Sequence, residues 1–95
     1  MTPKEKKKLL LNAFWDKNID ADQLYNFING KIKTIPLIDQ KTIFIRLLST
    51  YDWYTLIKLF PLKVLKESLS DDILNSLYPK ELKKKYQYAR KLLFK

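Results

Sequence analysis

Seven aspartates are scattered along the chain: Asp16, Asp20, Asp22, Asp39, Asp52, Asp71 and Asp72. Carboxylates are hard oxygen ligands, so a set of this size raises the question of a Mg²⁺ site. Their positions suggest another use. Asp20, Asp39 and Asp52 each precede a run with helical periodicity, and Asp71-Asp72 fall in an expected first helical turn, where negative charge meets the positive end of the helix dipole. Capping is therefore the expected role. The chain has no His and no Cys, so the usual general base, the Ser/His/Asp set, the thiol nucleophile and the commonest zinc ligands are all missing. One glycine, Gly30, cannot build a phosphate-cradling loop. These residues predict a protein that is not an enzyme, with no cofactor and no metal.

The stronger chemical signal is positive charge. The net charge is +9, and it sits at the two ends. Residues 1–8 set Lys4, Lys6, Lys7 and Lys8 against Glu5, residues 79–95 carry seven basic side chains against Glu81, and the stretch between is balanced. Such a field attracts acidic proteins or nucleic acid. The segment KELKKKYQYARK, residues 80–91, interleaves Lys and Arg with Tyr86 and Tyr88. Lysines would contact phosphates in a salt-dependent way, and exposed tyrosines could stack on bases. Candidate binding residues are Lys80, Lys83, Lys84, Arg90 and Lys91, with Tyr88 and, at the other end of the chain, Trp15. An acidic protein is the favoured partner and nucleic acid the alternative.

These side chains must be carried by helices. Thr2-Pro3-Lys4-Glu5 offers an N-cap, a proline in the first turn and a reciprocal glutamate. The first helix is expected to run to about Asn12, with residues 1–8 prone to fray. Asp20, with Gln23 in the box position, opens a second helix whose Leu24, Phe27 and Ile28 share a face, and Gly30 ends it. Residues 31–37, KIKTIPL, read as a loop because Pro36 disfavours helix at the residue before it. Asp39 opens a central helix with Phe44, Leu47, Leu48 and Tyr51 at i, i+3, i+4 and i+7; a strand over the β-branched TIFI stretch is the competing reading. Further helices begin at Asp52, Pro61, Ser70 and Pro79, and Leu82, Tyr86, Ala89 and Leu93 form a stripe on the last. The expected fold is all-α, a single domain over residues 1–95, a compact bundle of five or six short helices with a basic C-terminal helix. The expected core is Leu24, Phe27, Ile28, Ile43, Phe44, Leu47, Leu48, Leu56, Ile57, Leu65, Leu69, Leu77, Leu82, Tyr86 and Leu93. No apolar run is long enough to span a membrane, and the lysine-rich opening lacks the apolar region of a signal peptide; a cytoplasmic location is expected.

Residues 14–16 read Phe-Trp-Asp. Phe14 and Trp15 are expected to pack the entry to the second helix onto the bundle, with Trp15 as a candidate exposed anchor, since Trp is enriched at binding hot spots. Arg46 is nearly the only charge in the central apolar helix. It needs a carboxylate, and Asp16 and Asp52 are the candidates; breaking a buried pair by Arg46→Ala would cost about 3 kcal/mol.

The Phe14-Trp15-Asp16 motif, followed by IRLLSTYDW (residues 45–53) and LIKLF, resembles a family of small bacterial proteins. Their pattern is an FWD motif, an arginine-led helix ending in a Gly-Asp-Trp turn, and a short amphipathic helix. The match spans Phe14 to Leu69 and rests on Phe14, Trp15, Asp16, Arg46, Asp52 and Trp53. Tyr51 stands where the family has Gly, Phe60-Pro61 replaces a Tyr-Gly turn, and the basic C-terminal segment replaces the family's ending. Family members are encoded beside abortive-infection type nucleotidyltransferase toxins and are taken to be their antitoxins. The resemblance implies an antitoxin-like module that neutralises a toxin encoded nearby by docking on it. Two other readings stand beside it. One is a DNA- or RNA-binding protein or operon autorepressor, although WYTLIKLF is too apolar for a recognition helix. The other is a homodimeric interaction domain, because TIFIRLL and the aromatics Tyr51, Trp53, Tyr54 and Phe60 exceed what so short a chain easily buries.

Overall fold

Helix-start chemistry decides most of the architecture. The computed structural model describes residues 1–94. Seven helices follow one another: α1 (Pro3–Ala13), α2 (Ala21–Ile28), α3 (Gln40–Thr50), α4 (Trp53–Leu59), α5 (Leu62–Ser68), α6 (Asp71–Leu74) and α7 (Lys80–Leu93). Five begin at side-chain caps. Thr2 and Glu5 form a reciprocal capping box, so α1 is helical from Pro3, through the residues expected to fray. Asp20, Asp39, Asp52 and Ser70 accept backbone N–H groups at the starts of α2, α3, α4 and α6. The Asp20 bond comes from Asp22 N rather than from the Gln23 position. Pro61 and Pro79 occupy the cap positions themselves, just outside α5 and α7. The TIFI stretch is helix, as its capped start at Asp39 dictates. Helices outnumber the expected five or six because Asp52, Pro61 and Ser70 each restart the chain after seven to eleven residues.

Gly30 has φ +78, the left-handed conformation that ends α2 at little cost. The loop after it contains a tight turn from Ile35 to Ile38, closed by Ile38 N–H donating to Ile35 O at 3.4 Å. Pro36 takes the second position and Leu37, at φ +70, the third, the sign pattern of a type II turn. That third position favours glycine, and Leu37 fills it while fully exposed.

One contiguous core joins all seven helices and the loop residue Ile35. Its centre is α3: Ile43, Phe44, Leu47 and Leu48 are buried, with Phe44 between Phe27 and Phe60 at ring separations of 5.2 and 6.1 Å. Three expected core residues differ. Ile57 and Leu93 are exposed and Leu82 is half-buried, because α4 and α7 leave one side uncovered. In their place Leu10, Phe14, Leu59, Val64, Ile73 and Leu74 fill the interior. The radius of gyration is 12.6 Å, close to the roughly 12 Å expected of a closely packed chain of this length. No helix is long and apolar enough to cross a membrane among the described residues.

Candidate interaction surface

The aspartates are occupied inside the fold. Asp20, Asp39 and Asp52 cap helices, while Asp16, Asp22, Asp71 and Asp72 pair with Arg46, Lys7, Arg90 and Lys41. Among the described residues no three His, Cys, Asp or Glu side chains converge on a point that could hold a metal ion. The pairing shows in the acidities. The Arg46 guanidinium beside Asp16 holds its carboxyl below the usual range. Asp39 is lowered by its bonds to Thr42, and Asp52 by its bond to the Thr55 amide.

Only two of the nineteen basic side chains are arginine, and both do the same structural work. Arg46, from the middle of α3, donates to both carboxylate oxygens of Asp16 and reaches Ala13 O, at the end of α1, at 3.4 Å. Its guanidinium also lies over the Phe14 ring, 5.4 Å from the centroid. Helix α1 has no basic residue in its own last turn, so a cation from α3 meets its negative end. Arg90 repeats the arrangement. It donates to Leu69 O at 2.9 Å, where α5 ends, and to Asp71 at 2.7 Å. Of the two partners expected for Arg46, Asp16 is the one; Asp52 instead accepts from Thr55 N at 2.9 Å. Arg90, grouped with the lysines as a binding residue, is committed within the fold. The missed signal was the residue type: a guanidinium is more weakly hydrated than an ammonium and is favoured for ion pairs made within a fold.

The Phe-Trp-Asp motif divides its labour. Phe14 is buried under Arg46 and Asp16 holds that arginine, but Trp15 is 83% exposed and does not pack the entry segment. It borders a shallow hollow with Asn12, Thr42, Ile45 and Ser49.

Helix α7 is tethered by Tyr86. Its ring is buried, 6.3 Å from the Trp53 ring. Its hydroxyl donates to Leu48 O at 2.7 Å and lies 3.2 Å from Tyr51 O, so it caps orphan carbonyls at the end of α3. Burial pushes the phenol up to about 12. Beside this tether, α4 and α7 enclose an open groove of roughly 530 Å³. Trp53 and Tyr54 line one side. Lys85, Tyr88, Ala89 and Leu92 line the other, at i, i+3, i+4 and i+7. A smaller hollow lined by Ile57, Leu62 and Leu65 shares Trp53 and Leu93 with it, so the apolar face is continuous. Tyr54, Leu62, Tyr88 and Leu92 are all more than half exposed.

The remaining predicted binding residues fall elsewhere. Lys80, Lys84 and Lys91, with Gln87, repeat at i, i+4, i+11 and i+7 along a second stripe of α7, and Lys83 is half-buried near the core side. None of Lys80, Lys83, Lys84, Lys85 and Lys91 forms an ion pair among the described residues. Of the predicted set only Tyr88 lines the groove; Lys85 and the α4 aromatics join it there because α4 packs alongside, a proximity no helical period reveals. Compared with protein-family models, curated proteins and solved structures, the chain gives no match.

Proposed function

We propose that this protein is an antitoxin-like binding module that neutralises a partner toxin of the nucleotidyltransferase type by docking a basic, aromatic-rich helical surface on it, without catalysis of its own. The observation that carries the reading is the α4–α7 face. It leaves Trp53, Tyr54, Tyr88 and Leu92 around an open groove, in a chain whose aspartates are engaged internally while the α7 lysines are not. A protein surface with aromatic anchors and an opposite charge would gain both affinity and encounter rate there. Nucleotidyltransferases, in turn, gather metal-binding carboxylates in a cleft. The resemblance carried by Phe14, Trp15, Asp16, Arg46, Asp52 and Trp53 supports the same partner class, and Arg46 with Asp16 supports a role for that motif in folding.

Co-expression with the neighbouring gene product tests the proposal. The two should co-purify at low and moderate salt, and a Tyr88→Ala/Leu92→Ala double variant should release the partner while keeping its fold. No complex at either salt concentration removes the reading. The unpaired stripe of Lys80, Lys84 and Lys91 favours one second reading, a non-specific grip on DNA or RNA. A mobility shift on random DNA that fades steeply with added salt, and with lysine-to-glutamine changes at those three positions, would establish it.

A further inference from the structure

We infer that the occupant of the α4–α7 groove is a single amphipathic α-helix of the partner, with an apolar stripe facing Trp53 and acidic residues along its flanks. The inference rests on the acidic-partner reading above and adds the shape of what is bound.

The spacing of the groove wall comes first. Lys85, Tyr88, Ala89 and Leu92 are one face of α7 at i, i+3, i+4 and i+7, the ridge pattern by which helices pack on helices. Helix α4 stands beside that face without covering it: Tyr88 and Leu92 are exposed although α7 is well anchored through Tyr86. From Lys85 to Leu92 the wall rises about 10 Å, two helical turns. The adjoining hollow at Ile57 and Leu62 prolongs the same apolar track. An elongated trough with small Ala89 on one wall and large aromatics opposite it suits a cylinder of side chains better than a flat surface.

Charge selects among helices. Lys85 lines the groove. Lys58 stands one turn beyond Tyr54 on α4, and Lys85 and Lys58 both place favourable charge near Asp52, behind the Thr55 bonds that do most to lower its pKa. Among the described residues Asp52 is the one carboxylate in the lining, and its oxygen is held by the Thr55 amide. A second copy of this chain would bring the same lysine rim and a net charge of +9 against it, so the occupant is acidic and foreign. A nucleic-acid strand fits less well: the Lys80, Lys84 and Lys91 stripe that would follow its phosphates runs along a different side of α7 from Trp53 and Tyr54, which would stack on its bases.

The two tryptophans make a direct test. Trp15 lies outside the groove and is exposed, so Trp15→Phe leaves Trp53 as the single tryptophan, excited selectively at wavelengths where tyrosine does not absorb, in an otherwise intact protein. The probe is a synthetic peptide about 18 residues long, five helical turns, with Leu at i, i+3, i+4 and i+7 and Glu on both flanks. The control has the same composition, scrambled so that no stripe forms. We expect the striped peptide to shift Trp53 emission to the blue and to bind at least about tenfold more tightly than the scrambled one, with Tyr88→Glu or Leu92→Glu abolishing the difference. Equal, salt-sensitive binding of both peptides would overturn the helix and leave the acidic-partner reading standing. A Trp53 response to single-stranded oligo-dT with none to either peptide would overturn both. Dimerisation of the peptide-free protein with Trp53 already shielded would assign the groove to a second copy and overturn the inference.

Discussion

The two arginine corners are built to one plan and finished differently. At the N-terminal corner Arg46 is closed in: the Phe14 ring lies beneath the guanidinium, both oxygens of Asp16 hold it, and the side chains are 27% and 36% exposed. At the C-terminal corner Arg90 makes one carbonyl bond and one bond to Asp71, whose side chain is 81% exposed. The surroundings follow suit. The α1–α3 side buries Phe14 and Phe44 and leaves Trp15, among the described residues, as its one large exposed aromatic, whereas the α4–α7 side leaves Tyr54, Tyr88, Leu62 and Leu92 in solvent. The same carbonyl-plus-carboxylate arrangement thus holds Arg46 through two nitrogens against an aromatic ring and Arg90 through one nitrogen at the surface. The α4–α7 side retains a continuous apolar face in solvent, and the α1–α3 side carries the better-buried arginine.

Removing packing from each side should break the contrast most sharply. Phe44→Ala, between Phe27 and Phe60, is expected to cost about 3–5 kcal/mol, whereas Leu92→Ala, at the groove, should stay within about 0.5 kcal/mol of the parent; urea unfolding read by circular dichroism compares them. Similar losses at both positions would mean that the α4–α7 face is as tightly built as the core. Next in size is Tyr86→Phe. It leaves Leu48 O without its donor and should cost roughly 1–3 kcal/mol, loosening α7 and raising its amide exchange before that of α3.

The arginine corners themselves come third. Arg46→Lys keeps the charge and loses the fork, and a fall in melting temperature of about 5 °C is expected, with roughly half of that for Arg90→Lys. The exposure of Asp16 makes the 3 kcal/mol expected of a fully buried pair too large here, because solvent screens it.

The pH profile sharpens the comparison further. Asp16, Asp39 and Asp52 have folded pKa values below the ordinary 3.8, so their stabilisation is complete above that value and is lost as pH falls below it, through the folded pKa. Tyr86 is raised from 10.0 to about 12, so its contribution is complete below pH 10 and is lost as pH rises towards 12. With no His in the chain, melting temperature should be flat between about pH 5 and 8. Tyr86→Phe should soften the alkaline decline and leave the acid one alone. The smallest effect is a gain: Leu37→Gly relieves the positive φ and should stabilise by up to about 1 kcal/mol.

Local chemistry carried the helical reading. A cap needs only a side-chain oxygen and an amide two or three residues later, so Thr2, Asp20, Asp39, Asp52 and Ser70 announce their helices from sequence alone. The apolar periods of α2 and α3 likewise place Leu24, Phe27, Phe44 and Leu48 in the core, because a face defined within one helix depends on that helix only. The pairing of Arg46 with a carboxylate was equally legible, since an ion inside an apolar run must find a counterion.

Which carboxylate it finds, however, depends on where α1 ends relative to α3, and the sequence named Asp16 and Asp52 without choosing between them. The same holds for Arg90, whose carbonyl partner Leu69 O lies 21 residues earlier, and for Ile57 and Leu93, apolar by type yet left outside by the way α4 meets α7. Sequence by itself determined an all-helical chain with capped starts, an apolar centre at α3 and a positively charged end. Tertiary structure alone decided which cations are bound inside, which aromatics face water, and that Trp53 and Tyr88 share a groove, because those outcomes depend on contacts between helices that no single helix encodes.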